Sequence, residues 1–140
     1  MNIDKFKHQH VEILNGIADL RRLVQAGIGA NALSIAARLV SLSSVVRLHL
    51  AVEDRVLYPS VQASGSEQLK RMSRMYQAEM DGIASEYLSF AAKWHTAPQI
   101  VRDPDGFRAM ANVVLKQVFD RMQRENREFY PAIEAAAVPA

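Results

Sequence analysis

The sequence contains no cysteine. This absence excludes disulfide bonds, thiolate metal sites and cysteine nucleophiles, and it leaves histidine, methionine and carboxylates as possible metal ligands. A strong charge of one sign is absent as well, because 17 basic residues are offset by 15 acidic residues scattered through the chain. We therefore expect neither a nucleic acid nor an anionic membrane as a partner.

A long uninterrupted apolar run is also absent. The longest apolar stretch, VSLSSVVRLHLAV, contains Arg47 and His49, and the N-terminus, MNIDKFKHQH, carries charges where a signal peptide needs an apolar segment. We expect no membrane association and a cytoplasmic location. With 140 residues, of which 49% are hydrophobic and 23% charged, the chain is predicted to form a single domain over residues 1–140.

Apolar residues recur at alternating spacings of three and four, which predicts helices over about residues 4–26, 31–58, 65–94 and 104–134. The expected boundary residues are Gly27, Asn31 as an N-cap, Pro59, Ser64 with Glu67 as a capping box, and Asp103 with Pro104. No stretch has the two-residue period of a strand. The predicted fold class is all-α, an up-down-up-down antiparallel four-helix bundle, and the longer connection over about residues 95–103 is expected to cover one end or contact a partner.

Several polar residues fall on the helix stripes that should point toward the bundle axis. They are His10, His49, Glu53, Arg121 and Glu125. Because a buried charge without a partner is costly, we expect these side chains to be grouped in space. His49 and Glu53 are spaced i, i+4, so both can reach one ion, and Val56 is expected to follow them on the inner line. Imidazole and carboxylate without thiolate suit iron, manganese or zinc.

Two stretches of the sequence repeat one pattern. HLAVEDRVLYP covers residues 49–59, and RMQRENREFYP covers residues 121–131. In both stretches a glutamate, a tyrosine and a proline hold the same positions, whereas the first residue is His49 in one and Arg121 in the other. The second stretch therefore has a fixed positive charge where the first has a potential metal ligand.

These residues resemble the hemerythrin-like family of HHE cation-binding domains, and the resemblance covers nearly the entire chain. It implies a four-helix bundle that holds a non-haem di-iron centre. His10, in HQHVEIL, is similar to the family's first-helix ligand. His49 and Glu53, ahead of LYP, are similar to its second-helix pair.

The sequence departs from the family pattern on the third and fourth helices. In YQAEMDGIASEY, Met80 stands where the family has a histidine, and Arg121 replaces a second histidine while Glu125 remains. A di-iron centre needs roughly five to seven protein ligands. The matched positions supply four of them, so the resemblance implies at most one metal position.

Three interpretations follow from this pattern. The leading one is a degenerate centre that binds at most one iron, zinc or manganese ion through His10, His49, Glu53 and Glu125. Such a domain would act as a sensor or binding module rather than an enzyme, and the resemblance implies iron, oxygen or nitrosative-stress handling with a small diatomic ligand. The second is a metal-free interaction or structural domain in which Arg121 pairs with both glutamates. The third is a mononuclear non-haem metalloenzyme.

Other polar and sulfur-containing side chains are assigned to structure rather than chemistry. His8 and His95 are expected at the surface, since neither lies on an inner stripe. Tyr58 and Tyr130 are expected to pack at the bundle end with their hydroxyls bonded to the polar network. Met80 is expected to fill space in the core.

Overall fold

The computed structural model describes residues 2–136, apart from the side chain of Ser64. All regular secondary structure in this range is helical, which confirms the all-α class. The helices are α1 (Asp4–Ala26), α2 (Ala32–Val52), α3 (Tyr58–Ser64), α4 (Glu67–Trp94), α5 (Ala97–Arg102), α6 (Pro104–Arg124) and α7 (Tyr130–Ala136). Met1 and residues 137–140 of the predicted domain lie outside the described residues.

The end of α1 depends on a glycine. Gly27 has a φ of 125°, which a residue with a Cβ rarely adopts, and its N–H bonds to the carbonyl of Val24. Asn31 is the N-cap residue of α2, as predicted, but its side chain makes no capping hydrogen bond. The side chain instead donates from Nδ2 to the Gly27 carbonyl at 2.8 Å, which closes the turn between the two helices.

Two other helix starts are capped by side chains. Asp103 Oδ1 accepts from the N–H of Gly106 at 3.0 Å, in agreement with its predicted role at the start of α6. The predicted Ser64 cap is wrong, because Ser64 is the last residue of α3. Ser66 caps α4 instead, accepting from the N–H of Leu69 at 3.2 Å.

The two repeated stretches fold alike, because each contains a π-helical turn. The turns are Glu53–Leu57 and Glu125–Phe129, and in each the N–H of the following tyrosine bonds to the glutamate carbonyl five residues earlier. A wide turn leaves space for the next proline, which has no N–H to donate and clashes with a regular preceding turn. The predicted helix end at about Tyr58 is therefore wrong: α2 and α3 form one continuous helix, and so do α6 and α7.

The prediction that Val56 lies on the inner side of its helix is wrong. Leu57 is fully buried, whereas Val56 is 47% exposed. Positions three and four residues after Glu53 both lie near its face of the helix, and the structure buries the fourth. The second stretch does the same, since Phe129, four residues after Glu125, is fully buried.

The helices pack as a bundle. α1 packs against α2 and α6, and α4 packs against α2, α3 and α6. The predicted connection over residues 95–103 contains α5, which packs against α2, α4 and α6 and buries Ile100. The helix Ala32–Ala63 is long and apolar enough to cross a membrane by length and composition, a test that a core helix of a water-soluble protein also passes.

The polar residues lie between two apolar clusters. The smaller cluster consists of Ile3, Phe6, Leu57, Tyr58, Val61, Leu69, Tyr76, Phe129, Tyr130 and Ile133. The larger cluster extends from Ile13 and Val46 to Met122. His10 follows Phe6 of the smaller cluster and precedes Ile13 of the larger one along α1, so the fold surrounds the polar group with apolar side chains on both sides.

Candidate metal centre

The structure brings the four predicted ligand residues together in the protein interior. Each offers one ligand atom, and these atoms lie within 4.8 Å of one another. His10 comes from α1, His49 from α2, and Glu53 and Glu125 from the first positions of the two π turns. None of the four is more than 1% exposed. Residues from distant parts of the sequence therefore form a single buried site in the fold.

The two imidazoles meet at the centre of the site. His10 Nε2 and His49 Nε2 are 2.9 Å apart. His49 Nε2 lies 2.9 Å from Glu53 Oε1, and His10 Nε2 lies 3.1 Å from Glu125 Oε1. Neighbouring ligands at right angles are about 3 Å apart when each is about 2.1 Å from a common ion. The donor types and these three short distances fit one metal ion.

The carboxylates supply a second observation that fits a cation. Glu53 Oε1 and Glu125 Oε1 are buried and have no hydrogen-bond partner among the described residues. A buried acceptor that is left unsatisfied costs about 1–3 kcal/mol. Both atoms point to the same small region as the two imidazole Nε2 atoms, and a cation there would interact with all four.

Burial changes the protonation of the site. Burial and the nearby His10 lower the pKa of His49 to about 3, so this imidazole is neutral at neutral pH. Burial raises the pKa of Glu53, and the charge of Glu125 raises it further. Burial acts in the same direction on Glu125, but contact with His10 and the charge of Arg121 outweigh it and lower the pKa of Glu125. Glu125 is thus the stable anion, and Glu53 takes a proton more readily.

Arg121 fills the other side of the site. Its side chain is buried, and Nη2 donates to the hydroxyl of Tyr58 at 3.0 Å and to the carbonyl of Tyr76. Nε lies 3.5 Å from Glu125 Oε2, and the guanidinium lies 4.4 Å from the centre of the Tyr76 ring. These contacts hold a planar cation in the place where a second metal ion would need ligands.

The two repeated stretches bond to each other across the site. The Tyr58 hydroxyl donates to Glu125 Oε2, and the Tyr130 hydroxyl donates to Glu53 Oε2, each at 3.2 Å. The Tyr130 hydroxyl also lies 2.9 Å from His10 Nε2. Each tyrosine therefore binds the glutamate of the other stretch, and both hydroxyls belong to the polar network as predicted.

The geometry corrects one part of the metal-free interpretation. Among the described residues, Arg121 forms ion pairs with Glu125 and, at 3.8 Å, with Glu79, but none with Glu53. Arg121 lies one helical turn from Glu125, whereas Oε2 of Glu53 is held by Tyr130 from the opposite stretch.

The comparison with known proteins supports the same chemistry. The family model described as hemerythrin HHE cation-binding domain matches residues 1–133. The chain belongs to this hemerythrin family. No curated protein and no solved structure matches the chain.

Two buried side chains of this hemerythrin-like domain are not metal donors of the imidazole or carboxylate type. Met80 is buried in the larger apolar cluster, where it fills space as expected, and Arg121 is buried beside Glu125. The donor set present fits one ion but not two, because the space beside Glu125 holds a guanidinium.

The remaining histidines of the hemerythrin-like domain lie at the surface. His8 is exposed and 3.4 Å from Glu12, and His95 is exposed with Nδ1 2.9 Å from the carbonyl of Ala92. Both positions agree with the sequence-based expectation.

Sequence reasoning missed two residues that touch the imidazoles. Gln9 Oε1 is 2.7 Å from His49 Nδ1, and Asn126 Oδ1 is 2.7 Å from His10 Nδ1. A signal was present, since Gln9 directly precedes His10 and Asn126 directly follows Glu125. The histidine that each amide contacts lies on another helix, which the sequence alone does not indicate.

Proposed function

We propose that this hemerythrin-like domain binds one metal ion through His10, His49, Glu53 and Glu125. The observation that carries the proposal is the convergence of two imidazole Nε2 atoms and two unpaired carboxylate Oε1 atoms on one buried region. When both Nε2 atoms are unprotonated and both glutamates are anionic, these four acceptors repel one another, and a cation removes that repulsion.

The proposal specifies one ion rather than two because of Arg121. Its charge already stabilises Glu125, and its contacts with two tyrosines fix it beside the site. A second dication there would meet a like charge and would lack the histidines that Met80 and Arg121 replace.

We also infer an up-down-up-down order for the long helices, supported by the short connections after Ala26 and Ser64.

Iron, manganese or zinc is the proposed ion, because two nitrogen and two oxygen donors without thiolate suit these metals. An ion held there would supply open coordination positions for a small ligand.

We propose a sensor or binding role, in iron, oxygen or nitrosative-stress handling, rather than catalysis. The ligand side chains are almost fully enclosed, so a diatomic molecule can approach them more easily than a larger substrate. Tyr58 and Tyr130, whose pKa values are raised by burial and by the nearby glutamates, remain protonated donors around the site. These donors hold the outer carboxylate oxygens and keep Oε1 of each glutamate directed inward.

Metal analysis of protein purified without chelator tests the proposal. We expect about one equivalent of iron, manganese or zinc per chain, and its loss in His49→Ala. His95→Ala removes an exposed histidine and is the matched control, which should keep the metal. Nitric oxide added to anaerobic iron(II)-loaded protein should change its electron paramagnetic resonance spectrum. A wild-type chain that binds none of iron(II), manganese or zinc in calorimetric titration would overturn the proposal.

A metal-free structural domain is the second candidate, and one observation favours it. Arg121 balances Glu125, and the raised pKa of Glu53 allows that residue to be neutral, so the site can reach charge balance without an ion. This candidate predicts that added metal changes neither the stability nor the spectrum of the protein. The titration described above distinguishes the two candidates.

A further inference from the structure

We propose that Gln9 and Asn126 are positioning residues that select the metal-binding tautomer of both histidines. This inference rests on the proposed metal site and identifies the side chains that prepare it. A neutral imidazole carries one N–H, and the partner of one ring nitrogen decides which nitrogen is left with a free lone pair. The structure places an amide oxygen at 2.7 Å from Nδ1 of each ring.

An amide oxygen only accepts hydrogen bonds, so it requires the ring proton to be on Nδ1. Both Nε2 atoms then present lone pairs to the centre, where they are 2.9 Å apart. Two lone pairs at this distance repel each other unless a cation lies between them. The Nδ1–H tautomers therefore make the centre of the site a place for a cation, in agreement with the unpaired Oε1 atoms of Glu53 and Glu125.

The opposite tautomer would produce a different site. If one Nε2 carried the proton, it could donate to the Nε2 of the other ring at 2.9 Å. That proton would lie where a metal ion needs two lone pairs. Gln9 and Asn126 thus favour the tautomers that leave the centre of the site free for a metal ion.

The two amides connect different helices. Gln9 lies on α1 beside His10 but contacts His49 of α2, and Asn126 lies in the second π turn beside Glu125 but contacts His10 of α1. Gln9 is only 6% exposed, which is unusual for a side chain with this many polar atoms. Each amide therefore holds the imidazole of a histidine that lies on another helix.

Nuclear magnetic resonance of the metal-free protein tests the tautomers directly. Long-range ¹H–¹⁵N correlation distinguishes a protonated Nδ1 from a protonated Nε2, and we expect Nδ1–H for both His10 and His49. Gln9→Met should change the tautomer of His49 alone, and Asn126→Leu that of His10 alone. Gln9→Glu keeps an acceptor oxygen and should preserve Nδ1–H at His49.

Zinc affinity provides the second readout, measured by competition with a chelating dye. Loss of an outer-shell acceptor typically weakens metal binding about 10–100-fold, which is the effect expected for Gln9→Met and Asn126→Leu. Gln25→Met makes the same change at an exposed position of α1 and should leave the affinity unchanged. Circular dichroism spectra confirm that each variant is folded.

Two results would overturn the proposal: Nε2–H tautomers in the wild-type protein, or variants that keep both the Nδ1–H tautomers and the wild-type zinc affinity. The tautomer measurement does not depend on metal binding. If wild type binds none of iron(II), manganese and zinc yet has Nδ1–H on both rings, the proposed metal function fails while the assignment of the two amides is supported.

Discussion

Replacing Arg121 with methionine removes the positive charge beside Glu125 and keeps an unbranched side chain of similar length. At the 3.5 Å separation of Nε and Glu125 Oε2, the attraction is about 5 kcal/mol at an effective dielectric constant of about 20. Glu125 can take up a proton and recover part of this loss. We therefore expect the metal-free variant to lose about 3–5 kcal/mol of unfolding free energy, the usual cost of removing one partner from a buried ion pair.

Urea unfolding followed by circular dichroism measures this loss, once with a chelator and once with zinc. Zinc should reduce the difference between Arg121→Met and wild type, because the ion supplies positive charge to both glutamates and no longer meets the guanidinium. Arg124→Met is the matched control on the same helix. Arg124 is 38% exposed and pairs with Glu79 at 2.7 Å, so its loss should cost less than about 1 kcal/mol.

Two outcomes would refute this reasoning. If Arg121→Met is within about 0.5 kcal/mol of wild type in chelator, the buried carboxylates do not depend on the guanidinium. If zinc stabilises wild type and variant equally, Arg121 is not electrostatically coupled to the bound ion. Arg121→Lys, which keeps the charge without the planar group, should fall between wild type and Arg121→Met in chelator.

Three further predictions address the site and its helix. Arg121→His should bind a second equivalent of metal by elemental analysis; no extra metal and no loss of stability would mean that Arg121 does not occupy the second position. Leu57→Ala should cost about 2–5 kcal/mol in urea unfolding and Val56→Ala less than about 0.5, whereas equal costs would contradict the difference in burial between these two side chains. Glu53 must lose its proton to bind an ion, and its pKa is raised. At pH values below that pKa, the apparent zinc Kd should therefore fall about tenfold for each unit by which the pH rises, and above that pKa it should be constant. Calorimetric titration over a pH series checks this, and a flat profile would contradict it.

The candidate ligands were predictable because they lie on inner helix stripes. A polar residue on such a stripe must be paired in the core, and the i, i+4 spacing of His49 and Glu53 already placed two of them together. The same reasoning selected His10 and Glu125, and all four meet in the structure. Assigning Arg121 to the same group was also possible, because its position in the second repeated stretch corresponds to that of His49.

The errors came from places where the chain leaves the regular helical period. Pro59 predicts the end of a helix, yet the π turn before it lets the helix continue to Ser64. On the same helix, Leu57 rather than Val56 is buried. The spacing of apolar residues does not reveal such a turn, because a π turn is defined by a backbone hydrogen bond that spans five residues.

The sequence by itself determined the helical class, the absence of thiolate chemistry, and the histidines and carboxylates available for a metal, because each of these follows from residue type and from spacing along one helix. Only the tertiary structure decided the partners between helices. Tyr58 binds Glu125, Tyr130 binds Glu53, and Gln9 contacts an imidazole of the next helix. Those contacts depend on the relative depth and rotation of helices that are far apart in the chain, and packing of the whole core sets both.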